Sequence, residues 1–283
     1  CNAWQFSLDH LDRVLERLRH APEEGLEELE PHGLYLAVAR LIGRRTAELH
    51  WALARADRGP DLTPEPCSAA DLAHERAAAL AAAHADLARL EQLRVTAGEP
   101  HGALIEAVLV RRGEIEHALA RAPDLPPHLV RTRIHGDFRL GQVLIAKGDA
   151  MLVDFEGVAG APMAQRRAKR LPTEDLAGML RSFSDAAWAA LFRFAEPDPP
   201  ALAQLQAPAL AWRDQAAAAF LDEYRASIAG CPSWPGDAAG EILVRQSLLR
   251  HLLAELVAER KIHKDRAWAV ARALHDVLDG TAQ

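Results

Sequence analysis

The chain is expected to adopt an α-rich α+β fold, mostly helices with one small β-hairpin. Three observations predict it. Alanine is heavily used and arginine far outnumbers lysine, and both alanine and arginine are good helix formers. Apolar residues recur at helical spacing along most of the 283 residues. Between two short apolar runs, Lys147-Gly148-Asp149 gives the strongest hairpin signal of the chain.

The elements follow in order. Ser7 reads as an N-cap, with Leu8, Leu11, Val14, Leu15 and Leu18 as the apolar stripe of a first helix. After the acidic break "APEEGLEELEPHG", a longer helix is expected from Leu34 to Arg55, ended by Gly59-Pro60 and the prolines at 64 and 66. Ser68 with Asp71 reads as the capping start of an alanine-rich helix through Val95. Pro100 to Ala122 reads as one further helix, stopped by "APDLPPH". The hairpin region runs from Val130 to Phe155, followed by the basic loop "AQRRAKRLP". Helices are then expected from Thr173, over 201–229 and over 240–279. With no internal repeat and no low-complexity linker, a single domain is preferred. It divides into a helical subdomain over 1–130, a catalytic loop and hairpin over 131–157, and a second helical region over 158–283.

Composition narrows the function. A net charge of -7 argues against a broad nucleic-acid surface, which needs clustered positive charge. Cys1, Cys67 and Cys231 are few, odd in number and far apart, so neither a disulfide framework nor a metal-type spacing is expected. A reducing cytoplasm fits that usage. No apolar run approaches membrane-span length and no signal peptide opens the chain. The start on Cys1, directly before a helical pattern, suggests a piece of a longer polypeptide.

The chemistry concentrates in "RIHGDFRLGQVLIAKGDAMLVDFEG", Arg133 to Gly157. With Lys147–Asp149 as the loop, Ala146 faces Ala150 and Gln142 comes opposite Asp154. Opposed Cβ atoms on an antiparallel pair lie about 4.5–5.5 Å apart, close enough for an amide oxygen and a carboxylate to share a hard cation such as Mg2+. Asp137, in the loop entering the hairpin, could take or orient a hydroxyl proton. A loop Asp, an amide five residues on and a second Asp closing a hairpin is the kinase arrangement. The competing reading is an ordinary turn with solvated acids.

The same segment, continued by "QRRAKRLPTEDLAGMLRSF", resembles the C-terminal lobe of maltokinases. These belong to the aminoglycoside-phosphotransferase-like, protein-kinase-like superfamily and are often fused to trehalose synthase. "NAWQFSLDHL", "IGRRTAELHWALA" and "PDLTPEP" extend the likeness over nearly the whole chain. The resemblance implies a kinase-like C-lobe that uses ATP and Mg2+ to phosphorylate maltose to maltose 1-phosphate, in the cytoplasm, feeding α-glucan synthesis. It implies Asp137 as the catalytic residue, Gln142 and Asp154 as metal ligands, and His135 and Asp175 as supports of the catalytic loop. A trehalose synthase in the same polypeptide or complex is the implied partner, with maltose or a related sugar as substrate. Three positions depart from the family. Arg139 stands where it carries His, Val158-Ala159 replace the end of "DFEGEP", and Ala254 and Ala258 replace tyrosines beside Glu255 and Glu259.

Other components of a kinase are not visible. No lysine precedes Lys147, and no G-x-G-x-x-G or GxxxxGK[ST] pattern occurs, so the nucleotide-gripping lobe is expected outside this sequence. Further candidates each have a structural alternative. Arg181 reads as a site residue or an ion pair within the lobe, and His50 as a core or interface histidine or a substrate contact, with the first reading preferred. Arg166, Arg167, Lys169 and Arg170 could face an anionic product or form a solvated loop. Three functions stay open: a maltokinase-like sugar kinase, an aminosugar or aminoglycoside phosphotransferase whose acidic Glu255 and Glu259 suit a cationic substrate, and a non-catalytic helical binding module.

Overall fold

The computed structural model describes residues 1–20, 32–55, 59, 61–98, 101–195, 199–258 and 264–280. In chain order the elements are α1 (Ala3–His20), α2 (Gly33–Leu53), β1 (Glu65–Pro66), α3 (Ala69–Thr96), α4 (His101–Val110), α5 (Arg112–Ala120) and β2 (Val130–Arg131). A 3-10 turn at Leu140–Gln142 leads into β3 (Val143–Ala146) and β4 (Asp149–Leu152). Then come α6 (Met163–Arg167), α7 (Thr173–Ala195), α8 (Pro199–Ile228), α9 (Asp237–Ala258) and α10 (Lys264–Asp279). The α-rich α+β architecture is the one expected. The chain forms two compact units, Cys1–Pro64 with Arg131–Trp234, and Glu65–Val130 with Pro235–Gln283. The stretch 1–130, expected as one helical subdomain, is therefore shared between them after Pro64.

In the first unit, α1 begins earlier than expected, because Asn2 is the residue that caps it. Asn2 Oδ1 accepts from the Gln5 amide at 2.9 Å. Ser7, expected as the cap, is instead fully buried inside the helix, where its hydroxyl meets the Ala3 carbonyl and the Tyr35 hydroxyl. Around α2, α7 and α8 the core closes on Leu11, Leu15, Ile42, Phe183, Trp188, Trp212, Phe220 and Tyr224, all essentially removed from solvent. Each of these large side chains contributes roughly 1.5–3 kcal/mol of apolar burial. Helices α2 and α8 approach closely because Gly43 has no side chain; a Cβ there would collide with the Phe220 carbonyl.

The second unit packs α3, α4, α5, α9 and α10 around Leu87, Leu90, Ile115, Leu119, Leu249, Leu253, Val270 and Leu274. Ser68 and Asp71 form the expected capping box of α3. The alanine-rich 77–85 is helical, with Ala83 buried among mostly solvent-facing neighbours. The single helix expected over Pro100–Ala122 is instead two, broken at Arg111. Gly113, just beyond the break, favours it by weakening helix propensity there.

The hairpin differs from expectation by one residue. Ala146 pairs with Asp149 and Ile145 with Ala150, so the loop is Lys147-Gly148 alone. Both loop residues have positive φ, 53° and 76°. That is the type I′ turn whose twist matches the flanking strands. Asp149 thus belongs to β4, where Arg45 of α2 holds its carboxylate through Nε at 2.8 Å and Nη2 at 3.0 Å. On the other edge of β3, Asn2 bridges Leu144 and the Ile145 amide donates to the Cys1 carbonyl.

Candidate active site

The shifted register changes which residues oppose each other, yet not which meet. The Val153 amide donates to the Gln142 carbonyl at 3.0 Å, so Gln142 faces Val153. The expected opposition of Gln142 and Asp154 is therefore corrected. Asp154 reaches Gln142 by a different route, a backbone turn into the left-handed region at φ 69°. Asp is among the few side chains tolerated there, although the conformation still costs on the order of 1 kcal/mol or more. The turn brings Asp154 Oδ2 within 2.9 Å of Gln142 Nε2, which donates to it.

The loop that carries Asp137 is held by its backbone. Asp175, in the first turn of α7 and only 2 % exposed, accepts from the His135 amide at 2.8 Å and the Gly136 amide at 2.9 Å. Its Oδ2 also accepts from His50 Nε2 at 3.1 Å. A carboxylate only accepts, so Nε2 carries the proton. In the neutral ring Nδ1 then accepts from the Tyr224 hydroxyl at 2.9 Å. Burial, followed by the nearby Cys231 and Asp175, pushes the Tyr224 phenol well above its ordinary pKa and keeps it a donor. Tyr224, His50 and Asp175 thus form a buried chain that ends on the backbone of the loop carrying Asp137.

His135 ties the loop to the hairpin exit. Its Nε2 donates to the Val153 carbonyl at 2.9 Å, and its ring packs on Phe138 and Phe155 with centroids 5.2 and 5.0 Å away. Below the loop, the Leu140 amide donates to Ser182 Oγ at 3.1 Å. Gly178 lets α7 lie against the Phe138 carbonyl, where an added Cβ would sit at 2.5 Å. Gly136, at φ 83°, sits where a left-handed backbone suits glycine.

Against this fixed backbone the functional side chains stay accessible. Asp137 is 29% exposed at its side chain and pairs with Arg139 Nη2 at 3.2 Å, Arg139 itself being 57% exposed. The cation at Arg139 therefore meets the carboxylate expected to be catalytic. Gln142 and Asp154 offer one amide and one carboxylate side by side and open to solvent. Mg2+ commonly takes one or two protein carboxylates and leaves its other positions to water and phosphate, so this donor set fits it. The amide presents its nitrogen to Asp154, and a half-turn about its last torsion would present the oxygen. Among the described residues, no group of three or more His, Cys, Asp or Glu could form a closed metal cage.

The remaining expected residues lie elsewhere. Arg181 is buried on α7 and pairs with Asp185 Oδ1 at 2.7 Å, the ion pair that competed with a site role. Arg166 reaches back to the Glu156 carbonyl and carboxylate, and Arg170 lies 4.0 Å from Glu174. Glu255 is half-buried on α9 of the second unit, and Glu259 lies outside the described residues. Arg45 and Ser182 were not singled out from sequence; both act across more than forty residues, with no local motif to mark them. No helix among the described residues is long and apolar enough to cross a membrane.

No family model matches the chain. A glucosamine kinase of Streptacidiphilus jiangxiensis is 33% identical over 197 residues, covering 69% of this chain and 39% of that protein. The glucosamine kinase of Mycolicibacterium smegmatis (strain ATCC 700084 / mc(2)155) is 34% identical over 165 residues, 58% of this chain and 36% of the relative. The chain thus spans less than two-fifths of the length of these curated relatives. Among solved structures, a glucosamine kinase in crystal form B superposes with TM-score 0.71 at 24% identity, covering 99% of this chain and 59% of that one. A glucosamine kinase in complex with glucosamine, ADP and inorganic phosphate gives 0.67 over 98% of this chain and 60% of the other. Nearly all of this chain therefore shares the fold of about three-fifths of each of these structures.

Proposed function

We propose that this chain is the catalytic and metal-holding portion of an ATP-dependent sugar kinase, with an aminosugar of the glucosamine type as acceptor. The observation that carries the reading is one loop geometry. Asp137 follows directly on a backbone clamped by Asp175, in the loop that leads into a Gln142–Asp154 pair suited to Mg2+. The relatives are glucosamine kinases, so the aminosugar reading now stands ahead of the maltokinase one, and a trehalose synthase partner loses its support.

In this reading Asp137 accepts the proton of the acceptor hydroxyl as that oxygen attacks the γ-phosphorus of ATP. The new O–P bond forms while the bond to the bridging β,γ-oxygen breaks, and ADP leaves with that electron pair. Bound at Gln142 and Asp154, Mg2+ would neutralise phosphate charge. Positioning falls to the Asp175 clamp, which fixes the Asp137 backbone, and to His135, which fixes the hairpin exit beside it. In this reading a nucleotide-gripping lysine and a glycine-rich cover, for which this sequence has no motif, would have to be supplied to the site.

The test uses the polypeptide that carries this chain together with its nucleotide-gripping lobe. ATP-dependent phosphate transfer to glucosamine should exceed that to maltose and fall about 10²–10⁴-fold in Asp137→Asn. Preference for maltose would return the reading to a maltokinase. Undiminished turnover in Asp137→Asn would remove the assignment of the base.

A further inference from the structure

Within the second unit, a cavity of about 410 Å³ opens between α5, α9 and α10, away from every residue assigned above. That volume falls in the range of small-molecule sites, about 300–1,000 Å³. Its wall carries His117 of α5, Arg121 just past the end of that helix, Ile242 and Arg245 of α9, and Leu278 of α10.

The polar groups around it are unevenly matched. The last carbonyls of a helix carry partial negative charge and would repel an anion. Here Gln246 Nε2 donates to the carbonyls of Ala118 at 3.0 Å, Leu119 at 3.2 Å and Arg121 at 2.7 Å, covering the end of α5. Near the end of α10, the Leu278 carbonyl accepts from Arg245 Nη2 at 2.7 Å. The carboxylate on the wall, Glu114, is held by Arg111 through Nε at 3.1 Å and Nη2 at 2.7 Å, and Asp279 is held by the same guanidinium at 2.7 Å. Acceptors are thus already matched, while donors are left over. Arg245 Nε is buried with no hydrogen-bond partner, and Arg121 and His117 line the same cavity.

We propose that this cavity binds a small organic anion. Its phosphate or carboxylate group is taken by Arg245 and Arg121, and its carbon skeleton lies against Ile242 and Leu278. The inference is independent of the kinase reading, because no residue is shared with that site.

The experiment is calorimetric titration of the full chain with inorganic phosphate, glucose 6-phosphate and citrate, with glucose as the uncharged control. At least one organic anion should bind saturably and more tightly than inorganic phosphate, and glucose should not bind. Arg121→Gln should weaken that binding about tenfold, the loss of one charged hydrogen bond, whereas Asp137→Asn should leave it unchanged. Arg245→Gln should weaken it similarly. Arg245 also caps α10, so Arg121→Gln decides the matter if the second variant does not fold. Absence of saturable binding, equal affinity for inorganic phosphate, or binding that Arg121→Gln leaves intact overturns the proposal.

Discussion

Replacing Asp175 with Ala should be among the most damaging single changes in the first unit. The carboxylate accepts three hydrogen bonds: the His135 amide at 2.8 Å, the Gly136 amide at 2.9 Å and His50 Nε2 at 3.1 Å. Gly136 lies at the surface, where water can replace the lost partner, so the cost falls on the other two donors. His135 is 1% exposed and His50 is fully buried. A buried donor left unsatisfied costs about 1–3 kcal/mol. Two of them give about 2–6 kcal/mol, reduced by the desolvation of a carboxylate that no longer has to be buried. A net loss of about 3 kcal/mol is expected, a large share of the roughly 5–15 kcal/mol that holds a domain folded. Trp4, Trp51, Trp188, Trp212 and Trp234, five of the six tryptophans, belong to the first unit, so tryptophan fluorescence in a urea titration reports mainly on it. A double-mutant cycle with His50→Gln should show a coupling of about 0.5–3 kcal/mol, because the two residues share one hydrogen bond. A loss below about 1 kcal/mol with strictly additive variants would refute the clamp, since the loop would then be held by something else.

Other expectations can be checked by urea titration, followed by tryptophan fluorescence for the first unit and by far-UV circular dichroism for the second. Gly178→Ala places a methyl 2.5 Å from the Phe138 carbonyl, so overpacking of about 1–3 kcal/mol should outweigh the helix-propensity gain. Gly113→Ala meets nothing within 4 Å and should instead stabilise the second unit by about 0.5–1 kcal/mol. Acid should also weaken the first unit. Burial first, then His32, Arg13 and Arg17, lowers the pKa of His10 from 6.5 to about 4, and burial also lowers that of His32. Between pH 6.5 and 4 the unfolded chain therefore binds more protons than the folded one, and stability should fall as pH drops through that window. His10→Gln should flatten the dependence; an unchanged slope would assign the acid sensitivity elsewhere. Arg139→Gln breaks only an exposed ion pair and should shift stability by less than about 0.5 kcal/mol, so a larger loss would mean that Arg139 holds the loop.

The features legible in the sequence were those encoded locally. The Ser68–Asp71 capping box, the helix opening at Thr173 and the order Asp137, Gln142, Asp154 are short-range patterns, and each appears in the fold. Errors arose where local rules had more than one solution. Lys147-Gly148-Asp149 could close a hairpin with either loop length, and the positive φ of Lys147, an uncommon residue for a type I′ turn, gave no warning of the shorter one. Ser7 satisfied the N-cap pattern, but Asn2 five residues earlier satisfied it too, and the buried contact with Tyr35 decided between them. His50 was legible as a core histidine, yet its partners lie 125 and 174 residues away, beyond any spacing rule. The two-unit division was equally hidden, because each unit is assembled from two separated stretches of chain with no linker composition between them.

The distribution of burial across the site separates anchoring from chemistry. The groups that clamp the entry of the loop are inside: Asp175, His50, Tyr224 and His135 are all at or below 2% exposure. Their bonds lie in a low-dielectric setting where breaking one is costly, so the loop has a single strongly preferred path. The groups that would meet substrates are outside, and their partners in the free chain are one another: Arg139 with Asp137, and Gln142 with Asp154. Exposed pairs of this kind are worth about 0–1 kcal/mol. They can therefore be exchanged for a sugar hydroxyl, a phosphate or a cation at little energetic cost and without moving the backbone beneath them. Arg139 gains a specific role from this contrast. In the proposed kinase reading, an acceptor hydroxyl that displaced Arg139 from Asp137 would leave the guanidinium with donors to offer a phosphate, in a bidentate form that a neutral histidine could not supply.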